Sequence, residues 1–208
     1  MIDKIADSEI LELHKLESYQ DYLRNPENVG QRGVYIWGFL FVDPKTAIVE
    51  KFLPYYVGRR VDDIYKRIQE HVYGIKKGTH KILLTDRLAE KEPWKYFRYN
   101  ADDVCHYVYI NYGETKTDKI KLTTEIQLKI QPHVDFYLEN LYITYISINK
   151  LCRNINDEVA YINYLERYVQ DKIGLDRLAS RPGNKYPDSF KPTIHTAPDT
   201  EHLFSPDK

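Results

Sequence analysis

An uninterrupted run of β-forming residues, from Val34 to Val42, constrains the fold of this 208-residue chain more than any other segment. Strand side chains alternate between two faces, so one face of this strand carries only aromatic residues: Tyr35, Trp37, Phe39 and Phe41. A second strand is predicted over residues 47–57, where Pro54 indicates an edge position or a bulge. The simplest arrangement pairs the two strands antiparallel.

The hydrophobic period then lengthens to that of a helix. Apolar residues recur at spacings of four, four and three in Ile64, Ile68, Val72 and Ile75. This pattern predicts a helix over residues 62–75 that ends near Gly74 and Gly78. A second helix is predicted over residues 156–173, with acidic residues in its first turn and Gly174 just after it. Weaker patterns predict a helix over residues 8–23, a strand over 104–112, a helix over 116–131 and a strand over 136–148.

These elements predict an α+β fold, a small antiparallel sheet flanked by helices with insertions. We expect residues 1–30 to form an N-terminal helical extension and residues 31–180 to form the main domain. Five of the ten prolines lie beyond Ser180, so residues 181–208 are expected to form a proline-rich arm. A hydrophobic content of 42% is enough to fill the core of one domain and excludes a wholly disordered chain.

Composition excludes several functional classes. Thirty basic residues against 31 acidic ones leave a net charge of −1, so the overall charge indicates no partner. The two cysteines, Cys105 and Cys152, cannot form a disulfide framework or a four-cysteine zinc site. The N-terminus carries charges where a signal peptide needs an apolar run, and no stretch reaches transmembrane length. We therefore expect a cytoplasmic protein with no membrane partner.

Two tripeptides mark the predicted hairpin, a Gly-Val-Tyr that ends at Tyr35 and a Tyr-Val-Gly that begins at Tyr56. The helix that follows carries Arg67 and His71 one turn apart. This arrangement, over residues 33–71, resembles the GIY-YIG nuclease superfamily, in particular its restriction-endonuclease-like members. Twenty residues separate the two tyrosines, more than is usual in that family, so the hairpin is extended. The tyrosines still meet if the strands pair.

The resemblance implies phosphodiester hydrolysis assisted by one divalent cation, Mg²⁺ or Mn²⁺, held by a glutamate on a late helix. Carried onto this chain, it implies that Tyr35 and Tyr56 frame the attacking water and that Arg67 neutralises the phosphate. His71 would assist proton movement. The alternatives are a structural salt bridge for Arg67 and a core or capping role for His71.

The resemblance does not say which tyrosine acts as the base. A tyrosine with an ordinary pKa near ~10 needs a neighbouring cation to accept a proton at neutral pH. Arg59 or Arg60, directly after the second tripeptide, would provide that cation.

Helical periodicity selects the candidate metal ligand. The buried stripe of the late helix is predicted to consist of Val159, Ile162, Val169 and Ile173. Glu166 lies four residues after one of these and three before another, so it points along the same stripe. A carboxylate there needs a partner, either a bound cation or an ion pair with an arginine or a tyrosine hydroxyl. Glu139 and Glu158 are the second choices, although Glu158 is better explained by the helix dipole.

Local charge favours a nucleic-acid surface, with a solvated helix face as the alternative. Between residues 59 and 81, seven Lys and Arg residues face three acidic ones. Asn184 would correspond to a late asparagine of the family, and basic residues surround it in the arm. The candidate nucleic-acid contacts are therefore Arg59, Arg60, Lys76, Lys77, Lys81, Asn184 and Lys185.

The expected function is a divalent-metal-dependent endonuclease that hydrolyses DNA, of the sequence-specific type II restriction kind. Cutting two strands with one metal site each would suggest a homodimer. The alternatives are a phage, mobile-element or repair nuclease of the same family, and a non-catalytic nucleic-acid-binding protein that keeps the fold. A complete acidic metal ligand distinguishes the enzyme from the binding protein.

Overall fold

A computed structural model describes residues 10–42, 50–76, 131, 134–135, 138–151, 155–175, 178, 180, 182–196 and 201–204. Its strands are β1 (Ile10–Glu12), β2 (Glu17–Ser18), β3 (Gly33–Val42), β4 (Glu50–Arg60), β5 (Leu141–Ser147) and β6 (Thr193–His195). Its α-helices are α1 (Tyr19–Arg24), α2 (Ile64–Lys76) and α3 (Ile155–Ile173), and short 3₁₀ turns cover Pro26–Asn28 and Glu201–Phe204. The predicted α+β class is confirmed.

The main sheet has the strand order β2-β5-β3-β4, and each neighbouring pair is antiparallel. The predicted hairpin is confirmed as β3 and β4. Among the described strands β4 lies at the edge, and its register shifts where Pro54 comes opposite Gly38. Pro54 therefore lies at a bulge in an edge strand, because proline has no N–H to donate to a continuous ladder. The strand predicted over 136–148 is shorter, as β5.

The core lies between the main sheet and α3. Val34 and Ile36 of β3 belong to one cluster of buried side chains with Leu165 and Val169 of α3, and all four are fully buried. Removing such apolar surface from water is the main stabilising contribution to a fold of this kind. α3 ends as predicted, at Gly174, whose positive φ of 101° suits a helix C-terminus.

The start of α2 is set by Asp63. Its carboxylate accepts hydrogen bonds from the backbone N–H of Tyr65 at 2.9 Å and of Gly30 at 3.2 Å. A side-chain acceptor at this position satisfies an N–H that the helix leaves without a partner. The cap fixes the first turn of α2, and therefore Arg67, relative to the loop that leads into β3. Gly74 does not end the helix, which continues to Lys76; Gly78 lies outside the described residues.

The chain divides into two compact units, residues 1–67 with 141–208, and residues 68–140. The first unit contains both sheets, α1 and α3. In the second, Val134 and Leu138 are buried. The strand predicted over 104–112 and almost all of the helix predicted over 116–131 lie outside the described residues. No helix in the described part of the chain has both the length and the hydrophobicity that a membrane span requires.

The helix predicted over residues 8–23 is wrong. From Ile10 onward the chain forms β1 and β2, and the helix α1 begins only at Tyr19. Ser18 starts it, because its hydroxyl accepts a hydrogen bond from the N–H of Asp21 at 3.2 Å. Leu11 is buried between two exposed neighbours, which is the two-residue period of a strand. The expected N-terminal helical extension therefore supplies strands to both sheets instead.

The proline-rich arm expected beyond Ser180 is also wrong. β6 pairs with β1 in parallel, and Phe190 and Leu203 belong to the main core cluster. Phe190 is 2% exposed. Its ring contacts those of Tyr161, Tyr164, Tyr168 and Tyr186. The prolines interrupt regular structure, but the aromatic residue between them buries the segment against α3.

Phe190→Ala is expected to lower the free energy of unfolding by about 3–5 kcal/mol, since it removes a fully buried ring. Lys191→Ala, at the exposed neighbouring position, is the matched control and should change it by less than about 0.5 kcal/mol. Urea denaturation of the two variants measures the difference. Equal stabilities would mean that the segment does not pack in solution.

Candidate active site

The two tyrosines of the motif meet on adjacent strands. Tyr35 of β3 lies opposite Gly58 of β4, and Trp37 lies opposite Tyr56. The rings of Tyr35 and Tyr56 stack with centroids 6.1 Å apart and planes inclined by 28°. Trp37 contacts the ring of Tyr56 at 5.8 Å. Tyr35 is 1% exposed, whereas Tyr56 is only partly buried, so Tyr56 is the tyrosine that reaches the surface.

Gly58 makes the room that this pair of rings requires. A Cβ at Gly58 would overlap the hydroxyl of Tyr35 and would lie 2.6 Å from Cε1 of Tyr56. Such a separation is far below ordinary contact distance. The glycine of the second tripeptide is therefore needed for space.

Gly58→Ala is expected to displace both rings and to lower the free energy of unfolding by about 1–3 kcal/mol, the usual cost of overpacking. Thermal or urea denaturation measures this loss. In a Tyr35→Leu background the added cost should be smaller, because part of the overlap is gone. A Gly58→Ala chain as stable as the wild type would contradict the tight packing of the two rings.

α2 brings Arg67 to the buried tyrosine. The guanidinium of Arg67 donates a hydrogen bond to the hydroxyl of Tyr35. Burial raises the pKa of Tyr35 well above its ordinary value, and this outweighs the lowering by Arg67. Tyr35 therefore keeps its proton at neutral pH and is suited to donating a hydrogen bond. The cation that acts on this tyrosine is Arg67, and the role expected of Arg59 or Arg60 beside the base stays a prediction.

Glu166, the predicted metal ligand, lies on α3 and contacts Arg59 of β4. Its side chain is 14% exposed, and one carboxylate oxygen, Oε2, accepts a hydrogen bond from Nε of Arg59 at 2.8 Å. Burial raises the pKa of Glu166, while Arg59 opposes that shift. The charge of Glu166 also acts on the hydroxyl of Tyr35. Glu166 is mostly buried, as expected of the predicted stripe, and it makes the ion pair with an arginine that was the alternative to a bound cation.

The predicted stripe on α3 needs one correction. Val159 is 36% exposed, while Ile162, Val169 and Ile173 are buried as expected. The core face instead includes Tyr161 and Leu165, which lie three and four residues from its other buried members Glu158, Ile162 and Val169.

The two second-choice glutamates are placed elsewhere. Glu158 is 7% exposed and forms a 2.7 Å ion pair with Arg32, which explains its burial better than the helix dipole does. Glu139 is exposed and belongs to the second unit. Among the glutamates of the described ranges, Glu166 is the one whose charge acts on Tyr35.

The C-terminal segment closes one side of the site. A Cβ at Gly183 would lie 3.2 Å from Oε2 of Glu166, and the N–H of Gly183 donates to Oε1 of the buried Gln170 at 2.8 Å. The hydroxyl of Ser180 accepts from the N–H of Val57 at 2.6 Å. Sequence reasoning missed these supporting contacts; the predicted Asn184 lies in the same segment.

The remaining candidates have mixed placements. Asn184 and Lys185 are exposed directly after Gly183, and Arg60 comes within 3.9 Å of Asp62. His71 is buried in the second unit, one turn beyond Arg67 on α2. Lys76 is exposed at the last position of α2. Lys77 and Lys81 lie outside the described residues.

Within the described ranges, no cluster of three or more His, Cys, Asp or Glu side chains is placed to hold a metal ion. A single carboxylate is nevertheless compatible with Mg²⁺, which is often held by one or two carboxylates and completed by waters and substrate phosphates. Glu166 fits that pattern, because its side chain is 14% exposed and its charge acts on the hydroxyl of Tyr35. Comparison of the chain with family models, with curated proteins and with solved structures gave no match.

Proposed function

We propose that this chain is a divalent-metal-dependent endonuclease that hydrolyses DNA phosphodiester bonds, of the type II restriction kind and of GIY-YIG type. One observation carries the proposal. Tyr35, Arg67 and Glu166 come from three separate elements, and the charges of both Arg67 and Glu166 act on the Tyr35 hydroxyl. Metal-assisted phosphodiester hydrolysis requires three groups near the reacting phosphate: a cation, a proton donor and an acidic side chain that binds the metal.

Each group has a role that its surroundings support. Arg67 meets the phosphate, because its guanidinium already faces the site and matches the planar geometry of phosphate oxygens. Tyr35 stays protonated and donates its hydroxyl hydrogen toward a substrate oxygen. Tyr56 is the more exposed tyrosine and orients the attacking water. Glu166 holds the divalent cation, and His71 is proposed to assist proton movement.

The bound cation would stabilise charge that develops on the phosphoryl oxygens. The protein groups divide the rest of the work between substrate orientation and proton movement. Stacking of Tyr56 between Tyr35 and Trp37 restricts its ring, so its hydroxyl is held in place before substrate arrives.

Cationic and amide side chains around the site favour DNA as the substrate. Arg59 lies beside Glu166, and Asn184 and Lys185 are exposed directly after Gly183, which is also close to Glu166. Exposed side chains of this kind can contact the phosphate backbone of a DNA duplex. The proposal includes a cytoplasmic homodimer, in which the site of each copy would cut one strand.

A binding protein without catalysis is the second candidate. The 2.8 Å ion pair between Arg59 and Glu166 favours it, since an arginine alone already satisfies the buried carboxylate. Such a protein would bind DNA equally well with EDTA and with Mg²⁺ and would leave it intact.

Incubation of the protein with plasmid DNA in Mg²⁺, followed by sequencing of any new ends, separates the two candidates. The proposal expects ends that recur at one short sequence, produced in Mg²⁺ or Mn²⁺ and not in EDTA. A parallel incubation with RNA tests the choice of substrate. Retention of DNA in a gel-shift assay with no new ends would favour the binding protein.

A further inference from the structure

Arg59 forms an ion pair with Glu166, whose carboxylate is the proposed ligand of the cation. Its Nε donates to Oε2 of Glu166 at 2.8 Å, and the acidic side chain is far more buried than its partner, 14% against 39% exposed. A Cβ at Gly183 would lie 3.2 Å from the same oxygen, so the glycine leaves room for it. The pair therefore has a buried acidic end and a basic end that is open to solvent.

Strand geometry explains why Arg59 is the residue in this place. Val57 belongs to the core cluster with residues of α3, and side chains two apart on a strand share a face. Arg59 therefore projects toward α3 and Glu166. Arg60, the next residue, projects the other way and comes within 3.9 Å of Asp62.

A guanidinium and a divalent cation compete for one carboxylate. Like charges a few ångströms apart repel strongly where little water separates them. The Arg59 contact must therefore loosen when a cation binds to Glu166. The solvent-exposed side of Arg59 leaves it open to a competing anion, and a DNA phosphate is an anion that arginine binds well.

We propose that Arg59 is a positioning residue that holds Glu166 in the absence of substrate and competes with the divalent cation for its carboxylate, until a DNA phosphate takes Arg59 away. The proposal rests on the function proposed above and adds the order in which DNA and the cation bind. Without DNA the site binds cations weakly, and DNA binding prepares Glu166 for the metal. By linkage, each ligand then strengthens the binding of the other.

Titration of the full-length chain with Mn²⁺ alone, followed by electron paramagnetic resonance, tests the competition without DNA or turnover. Arg59→Gln is expected to bind Mn²⁺ about fivefold or more tightly than the wild type. The cation no longer has to break the ion pair between Arg59 and Glu166, and a partly buried ion pair is stronger than a fully exposed one. Arg60→Gln is the matched control, with the same change of charge one residue away, and should show a smaller gain. In Arg59→Gln/Glu166→Gln the gain should disappear.

The direction of the effect separates the proposal from a structural role. A variant that merely unfolds would lose Mn²⁺ affinity, whereas the proposal requires a gain. Unchanged or weaker binding by Arg59→Gln, or an equal gain in Arg60→Gln, would overturn it. The outcome is independent of the proposed nuclease activity. If the chain cuts no DNA but Arg59→Gln binds Mn²⁺ more tightly, the competition is supported and the nuclease proposal fails. If the chain cuts DNA and Arg59→Gln shows no gain in Mn²⁺ affinity, the nuclease proposal stands and the competition fails.

Discussion

Arg67→Ala is expected to lower the single-turnover rate of DNA cleavage by about 10²–10³-fold or more, because preorganised charge on a reacting phosphate is worth that much. The loss should appear in the rate more than in DNA affinity, since other basic residues contribute to binding. Quenched-flow or gel measurement with enzyme in excess over DNA gives the rate directly.

Lys66→Ala is the matched control for this variant. Lys66 is the exposed neighbour of Arg67 on α2, so its removal makes the same change of charge outside the site. Its cleavage rate should stay close to that of the wild type. Arg67→Lys tests the geometry, because an ammonium keeps the charge and loses the planar fork. Wild-type cleavage by both Arg67 variants would return the arginine to a structural salt bridge.

Glu166→Gln is expected to lower cleavage in Mg²⁺ by about 10³-fold or more, because it removes the charge that holds a cation worth several kcal/mol to the transition state. The amide has nearly the same shape, so the fold should persist. DNA affinity in EDTA should be retained or should rise, since the substitution removes a negative charge and releases Arg59.

Asp171→Asn is the control for Glu166→Gln. Asp171 lies on the same helix and pairs at 2.8 Å with Arg167, with side chains 35% and 20% exposed, so this variant also breaks one ion pair of a carboxylate on α3. Its cleavage rate should match the wild type. Full activity of Glu166→Gln in Mg²⁺ would remove Glu166 from the proposed site and with it the cation.

The spacing of apolar residues and the positions of glycines along the chain predicted the elements that depend on local sequence. The alternating aromatic run gave β3, the helical period of Ile64 and Ile68 gave α2, and Gly174 marked the end of α3. The two tyrosines could be brought together from the sequence because the register of a hairpin follows from its two strands.

The elements and contacts that the sequence did not predict depend on residues far away in the chain. β1 and β2 are strands because they pair with β6 and β5, more than 120 residues later in the chain. Phe190 is buried because tyrosines of α3 surround it. Arg59 binds Glu166 across a separation of 107 residues, and no periodicity along either element indicates that contact. Tertiary packing overrides local propensity at such positions.

Nicking of supercoiled plasmid by the wild-type chain, side by side with Glu166→Gln purified in the same way, tests whether this carboxylate supports cleavage. We expect the wild type to convert the plasmid in Mg²⁺ and to leave it intact in EDTA, and Glu166→Gln to leave it intact in both. An intact plasmid with every sample in Mg²⁺ and Mn²⁺, or equal conversion by the two proteins, would contradict this expectation.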